Sequence, residues 1–138
     1  MSELFFAFPD CQSKQLIASQ LPSDIPWISY SLFITVAEPQ IITVGRLGRF
    51  EFIPGNYIYS GSALRNLLAR VNRHLRKEKK LRWHIDYFLS APAVDIVKVL
   101  VSTLSECELV AAGGGSIVVS GFGASDCRSG CGSHLRIL

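Results

Sequence analysis

The sequence predicts one α+β domain, on three observations. Stretches on either side of the chain's centre, Tyr30–Val36 and Val94–Val101, are rich in strand-forming residues. One stretch between them carries leucines and a valine at helical spacing. Glycine and proline turns separate all of these into short elements. The chain has 138 residues, 49% of them apolar and 18% charged. That composition excludes a disordered chain, and at this length roughly 68% of the unfolded surface can be buried. No apolar run reaches the ~18 residues that span a bilayer, so no membrane association is expected. Met1, Ser2 and Glu3 bring no basic cluster of the kind that opens a secretory signal. The four scattered cysteines suit a reducing compartment, and a cytoplasmic location is expected.

The elements follow in order. Residues 1–27, broken by Pro9, Pro22 and Pro26, are read as an N-terminal arm with one short helix around Cys11–Gln20. Residues 28–138 form the domain proper. Tyr30-Ser-Leu-Phe-Ile-Thr-Val36 reads as a strand with Tyr30, Leu32, Ile34 and Val36 on one face. Ile41–Val44 and Phe50–Ile53 flank Gly45-Arg-Leu-Gly48 as a hairpin. Asn56–Ser60 is a further strand, ended by Gly61-Ser62, with Ser62 placed to cap the next helix. Leu64, Leu67, Leu68, Val71 and Leu75 make one helical face, with Arg70 and His74 on its flank. Trp83–Leu89 is a short helix in which Trp83 and Tyr87, four apart, read as core packing. Val94–Val101 is a strand, and Leu104–Ala112 is a helix stopped by Gly113-Gly-Gly115. Strands are expected at Ile117–Ser120 and Ser133–Leu138, with a loop between them.

The charge is concentrated. The net charge of +3 is the sum of −2 over residues 1–64, +7 over 65–82 and −2 over 83–138. Such a patch suits a polyanion, because neutralising phosphates releases counterions. Its alternative is a solvated helix face. Lys79 is expected to contribute only to binding.

Polar residues stand where a core would prefer none: Tyr30, Tyr59, Arg70, His74 and Glu106. Together these types can cleave a phosphodiester. A carboxylate holds a divalent cation, an arginine meets charge on the phosphate, and a phenol or imidazole handles the water proton. Tyr57 reads as structural.

The ordered series Tyr30, Tyr59-Ser-Gly61-Ser62, Asn66-Leu67, Arg70, His74 and Glu106-Cys-Glu-Leu109 resembles the GIY-YIG nuclease superfamily. Gly45-Arg-Leu-Gly48, Trp83-His-Ile-Asp-Tyr87, Gly121-Phe-Gly-Ala-Ser-Asp-Cys127 and Ser133-His-Leu135 resemble its stand-alone Uri-type branch, a domain of unknown function. The resemblance implies a three-stranded antiparallel sheet with helices around it and the hairpin as an addition. It implies a metal-dependent endonuclease, using Mg or Mn, that hydrolyses DNA or structured nucleic acid. It assigns catalysis to Tyr30, Tyr59, Arg70, His74 and Glu106, with Glu106 as metal ligand and Glu108 as second choice. Arg65, Arg73, Arg76, Lys77, Lys80 and His84 are expected to bind nucleic acid. Two alternatives stand beside this reading: an inactive nucleic-acid-binding module of the same fold, and a small interaction domain with a structural zinc and a protein partner. The zinc would sit on Cys127, Cys131 and His134, with Cys107, His84 or Asp126 as fourth ligand.

Overall fold

A computed structural model describes residues 2–8, 14–124 and 130–138. The chain is α+β, and every strand pairing among the described residues is antiparallel. The strands are β1 (Glu3–Ala7), β2 (Ser29–Val36), β3 (Gln40–Val44), β4 (Gly48–Phe52), β5 (Gly55–Ser62), β6 (Val94–Ser102), β7 (Ser116–Ile117) and β8 (Leu135–Ile137). The helices are α1 (Leu67–Leu75), α2 (His84–Leu89) and α3 (Glu106–Gly113). One sheet has six strands in the order β1-β6-β2-β5-β8-β7, and β3-β4 is a separate two-stranded hairpin.

The sheet is therefore six-stranded where three strands were expected. The N-terminal segment explains part of the difference. Glu3–Ala7 pairs with Lys98–Ser102 along the outer edge of β6, which shields an otherwise open edge. Its burial alternates strictly, which is the mark of an edge strand with one covered face. On the other side β8 and the two-residue β7 extend β5. The helix expected over Cys11–Gln20 is reduced, among the described residues, to one 3-10 turn at Ala18–Gln20.

β2 lies between β5 and β6, so both its edges are paired. Tyr30, Leu32, Ile34 and Val36 are buried on one face as expected. Ser29 and Ser31 are equally buried, and there hydrogen bonds compensate their hydroxyls. Ser29 donates to the Leu104 carbonyl at 2.6 Å, and Ser31 meets the Ser60 hydroxyl at 2.7 Å. α3 packs against β2 and β5. Fully buried Leu32, Val71, Phe88 and Leu135 belong to one core cluster, each contributing about 1.5–3 kcal/mol by the usual scale.

Strand β5 runs through Gly61 and Ser62, because Ser62 pairs with Ser29. Ser62 is thus no helix cap. Asn66 takes that role in a left-handed conformation (φ 56°), its side chain accepting from the Ala69 amide. Leu64 lies outside the helix and is 84% exposed, although its spacing placed it on the apolar stripe.

Candidate functional site

Tyr30 and Gly61 are directly opposed on β2 and β5. The Tyr30 ring lies over the glycine so closely that a Cβ there would stand 2.5 Å from the phenolic oxygen. Only glycine leaves this space. The Tyr30 hydroxyl is 2.7 Å from Nε2 of His74 on α1. Burial pushes the Tyr30 phenol well above the ordinary tyrosine range, with the Arg70 guanidinium opposing it. Burial lowers His74 to about 3, the Lys79 ammonium adding to the effect. The pair is neutral at physiological pH, and His74 Nδ1 is buried with no hydrogen-bond partner among the described residues. Tyr59 packs edge-on against His74 and Phe122, and burial raises its phenol too.

Trp83 is not core. It is 36% exposed and carries a guanidinium at each of two close positions: Arg70 at 4.5 Å and Arg73 at 4.3 Å from a ring centroid. Arg70 also donates to the Ser62 carbonyl at 3.2 Å. Arg73 is committed elsewhere. It makes a two-pronged pair with Asp86, both contacts 2.8 Å, and donates to the Lys80 carbonyl. Asp86 is fully buried and also accepts from the Arg82 and Trp83 amides. Burial alone would raise the Asp86 carboxyl, but Arg73 and those amides hold it below its usual range.

Glu106 is the first residue of α3. Its Oε2 accepts from the Ser62 hydroxyl at 3.2 Å, and its Oε1 lies 2.9 Å from His134 Nδ1. Its side chain is 30% exposed. Ser62 therefore bridges both charges, holding Arg70 by its carbonyl and Glu106 by its hydroxyl. No direct Arg70–Glu106 ion pair occurs among the described residues. Glu108 instead closes a capping box with Ser105 at the start of α3. Tyr30, Tyr59, Arg70 and Glu106 line one pocket of about 330 Å³, together with Gly61, Ser62, Trp83, Cys107, Gly123 and His134.

His74 does not line this pocket; it stands behind Tyr30. Among the basic residues, Arg65, Arg76, Lys77 and Lys80 are exposed. Lys77, however, ties its ammonium to the Ala91 and Val94 carbonyls. Lys79 donates to the Arg73 and His74 carbonyls at the end of α1, so it fixes the helix terminus. His84 Nδ1 accepts from the Gly123 amide at 2.9 Å, which fixes the loop beside the pocket. Cys107, Cys131 and His134 converge, their ligand atoms all within 4.8 Å of one another. Cys127 and Asp126 lie outside the described residues. Sequence reasoning missed Ser62, Trp83 and Asp86 as functional or supporting residues. The Trp83-His-Ile-Asp-Tyr87 run was the available signal, but periodicity gave no hint that an exposed indole would meet two arginines.

The model of one family, described as Domain of unknown function DUF123, matches residues 29–138. No curated protein and no solved structure shows significant similarity to the chain.

Proposed function

We propose, for a chain that belongs to the DUF123 family, metal-dependent hydrolysis of phosphodiester bonds in DNA or structured nucleic acid by a GIY-YIG-type site. The observation that carries the reading is the Ser62 bridge, which holds a guanidinium and a part-exposed carboxylate in one pocket without letting them neutralise each other. The three long central strands, β6-β2-β5, support the superfamily likeness, with β1, β7, β8 and the hairpin as additions.

Arg70, stacked on Trp83 and fixed by the Ser62 carbonyl, is placed to meet the scissile phosphate. Tyr30 keeps its proton at neutral pH and is hydrogen-bonded to His74 Nε2; with the phenol as donor there, its oxygen accepts from the attacking water and orients it. The water oxygen forms the new bond to phosphorus as the bond to the ester oxygen breaks; the proton the water gives up passes to solvent through this part-exposed site, and the departing oxygen is protonated from solvent. His74 is a positioning residue, since its depressed basicity makes it a poor proton acceptor. The residues fit Mg or Mn. Each Glu106 oxygen has one hydrogen-bond partner among the described residues and so keeps acceptor capacity, and such ions commonly use one carboxylate, water and substrate phosphate. When bound, the ion supplies Lewis-acid stabilisation of phosphate charge. Exposed Arg65, Arg76 and Lys80 would meet the nucleic-acid backbone without reading sequence.

The test is nicking of supercoiled plasmid and of a branched DNA with added Mg or Mn. The reading expects metal-dependent cleavage that Glu106→Ala abolishes while the circular dichroism of the chain is unchanged. Full activity in Glu106→Ala overturns the site, and salt-sensitive DNA binding without cleavage in the wild type overturns the activity.

A further inference from the structure

Phosphodiester chemistry makes no use of Cys107 or Cys131, yet both stand with His134 in one small cluster. We infer that Cys107, Cys131 and His134 form a second metal site, for zinc, beside the phosphodiester pocket and sharing two of its lining residues.

Three independent features carry this. The first is convergence. Cys107 comes from the first turn of α3, while Cys131 and His134 come from the segment leading into β8, twenty-four residues further along. Their ligand atoms nevertheless all lie within 4.8 Å of one another. Ligands on one tetrahedral zinc, at the usual bond lengths, stand about 3.5–3.8 Å apart. The remaining adjustment is within the reach of side-chain torsions. The second is donor chemistry. Two thiols and an imidazole form a soft to borderline set, which selects zinc over the hard ions that Glu106 would attract. The third is orientation. His134 is 3% exposed, and its Nδ1 lies 2.9 Å from Glu106 Oε1. A histidine that donates one ring N–H to a carboxylate has its tautomer fixed, and its lone pair sits on the other nitrogen. That carboxylate–histidine arrangement is the usual outer support of a metal ligand.

Cys107 and His134 also line the 330 Å³ pocket. Glu106 therefore touches both sites: it orients His134 through Oε1 and offers its carboxylate to the pocket. A zinc at the cluster would pin the α3 N-terminus to the β8 approach and so hold Glu106 in place. The role is structural, and it stands whether or not the neighbouring pocket cleaves nucleic acid.

Cobalt(II) alone is the probe, titrated under reductant into full-length protein stripped by chelator. One equivalent should bind, with the intense visible bands of tetrahedral cobalt and a thiolate-to-cobalt charge-transfer band. Zinc should displace it. Glu106→Gln should keep the charge-transfer band but weaken affinity by about 10–100-fold, as expected for loss of an outer partner. Cys131→Ser should reduce the band, and Arg70→Ala should leave the titration unchanged, which separates this result from any failure of the nuclease reading. X-ray absorption on zinc-loaded wild-type protein gives a readout that needs no variant, and sulfur together with nitrogen ligands are expected. Zinc ligated only by oxygen and nitrogen, an undiminished charge-transfer band in the Cys107→Ser/Cys131→Ser double variant, or octahedral cobalt spectra would each overturn the proposal.

Discussion

Arg70 and Arg73 sit three residues apart on α1, against the same indole, and each is close to a carboxylate, yet their surroundings differ in one decisive respect. The Arg73–Asp86 pair is closed. Asp86 has no solvent exposure and accepts two guanidinium and two backbone N–H groups, three of them on Oδ2 and one on Oδ1, so its charge is fully compensated away from water. The Arg70–Glu106 arrangement is open. Ser62 separates the two groups, and Glu106 has, among the described residues, one partner on each oxygen and a side chain 30% exposed. A buried, directly paired charge holds structure together, whereas a part-exposed and separated one retains capacity to bind something else.

The largest expected effect tests the closed pair. Asp86→Ala strands the Arg73 guanidinium and frees two backbone donors, which should cost about 3–5 kcal/mol in urea denaturation. A stable variant would break the comparison. Arg70→Ala tests the open side. Cleavage should fall roughly 10²–10³-fold, as for loss of a transition-state charge donor, with denaturation nearly unchanged. Arg70→Lys should not restore it, because an ammonium cannot reproduce the stacked, forked geometry. Gly61→Ala introduces a carbon 2.5 Å from the Tyr30 oxygen and should cost about 1–3 kcal/mol. Combining it with Tyr30→Leu should shrink that loss, a coupling that a double-mutant cycle measures.

Acid sharpens the contrast further. The folded value of about 3 for His74 lies below its usual 6.5. Between those values the unfolded chain binds a proton that the native chain refuses, so stability falls as pH drops below 6.5, by up to about 1.4 kcal/mol per pH unit. Asp86, depressed from 3.8, adds its own loss only at lower pH. His74→Gln should flatten the slope between pH 6.5 and 4 in denaturation series. The smallest effect is expected for Lys80→Ala, which should weaken DNA binding slightly and lower its salt slope by about 1. Lys79→Ala should instead lower thermal stability, because its ammonium holds the last carbonyls of α1.

How far the sequence revealed this molecule follows from range. The hairpin at Gly45–Gly48, the face of β2 and the helix ended by the glycines from Gly113 on are set by neighbours a few residues apart, and periodicity and turn chemistry exposed them. The edge strand Glu3–Ala7 was hidden, because its partner Lys98–Ser102 lies more than ninety residues away. Ser62 looked like a helix cap from local chemistry, and strand register overruled it. Tyr30, Tyr59, Arg70 and Glu106 were legible as a set, and they share a pocket. Arg73, His84 and Lys77 were not separable from Arg70 by residue type, since what distinguishes them is which partner each one meets.

Trp83 gives the molecule a native optical reporter. The chain has two tryptophans, so Trp27→Phe leaves one emitter, whose indole rests against Arg70 at the pocket wall. An anion that draws the guanidinium off the ring would alter the fluorescence quantum yield and emission wavelength. Occupancy could then be followed by stopped-flow mixing with unlabelled oligonucleotides, before any strand is cut.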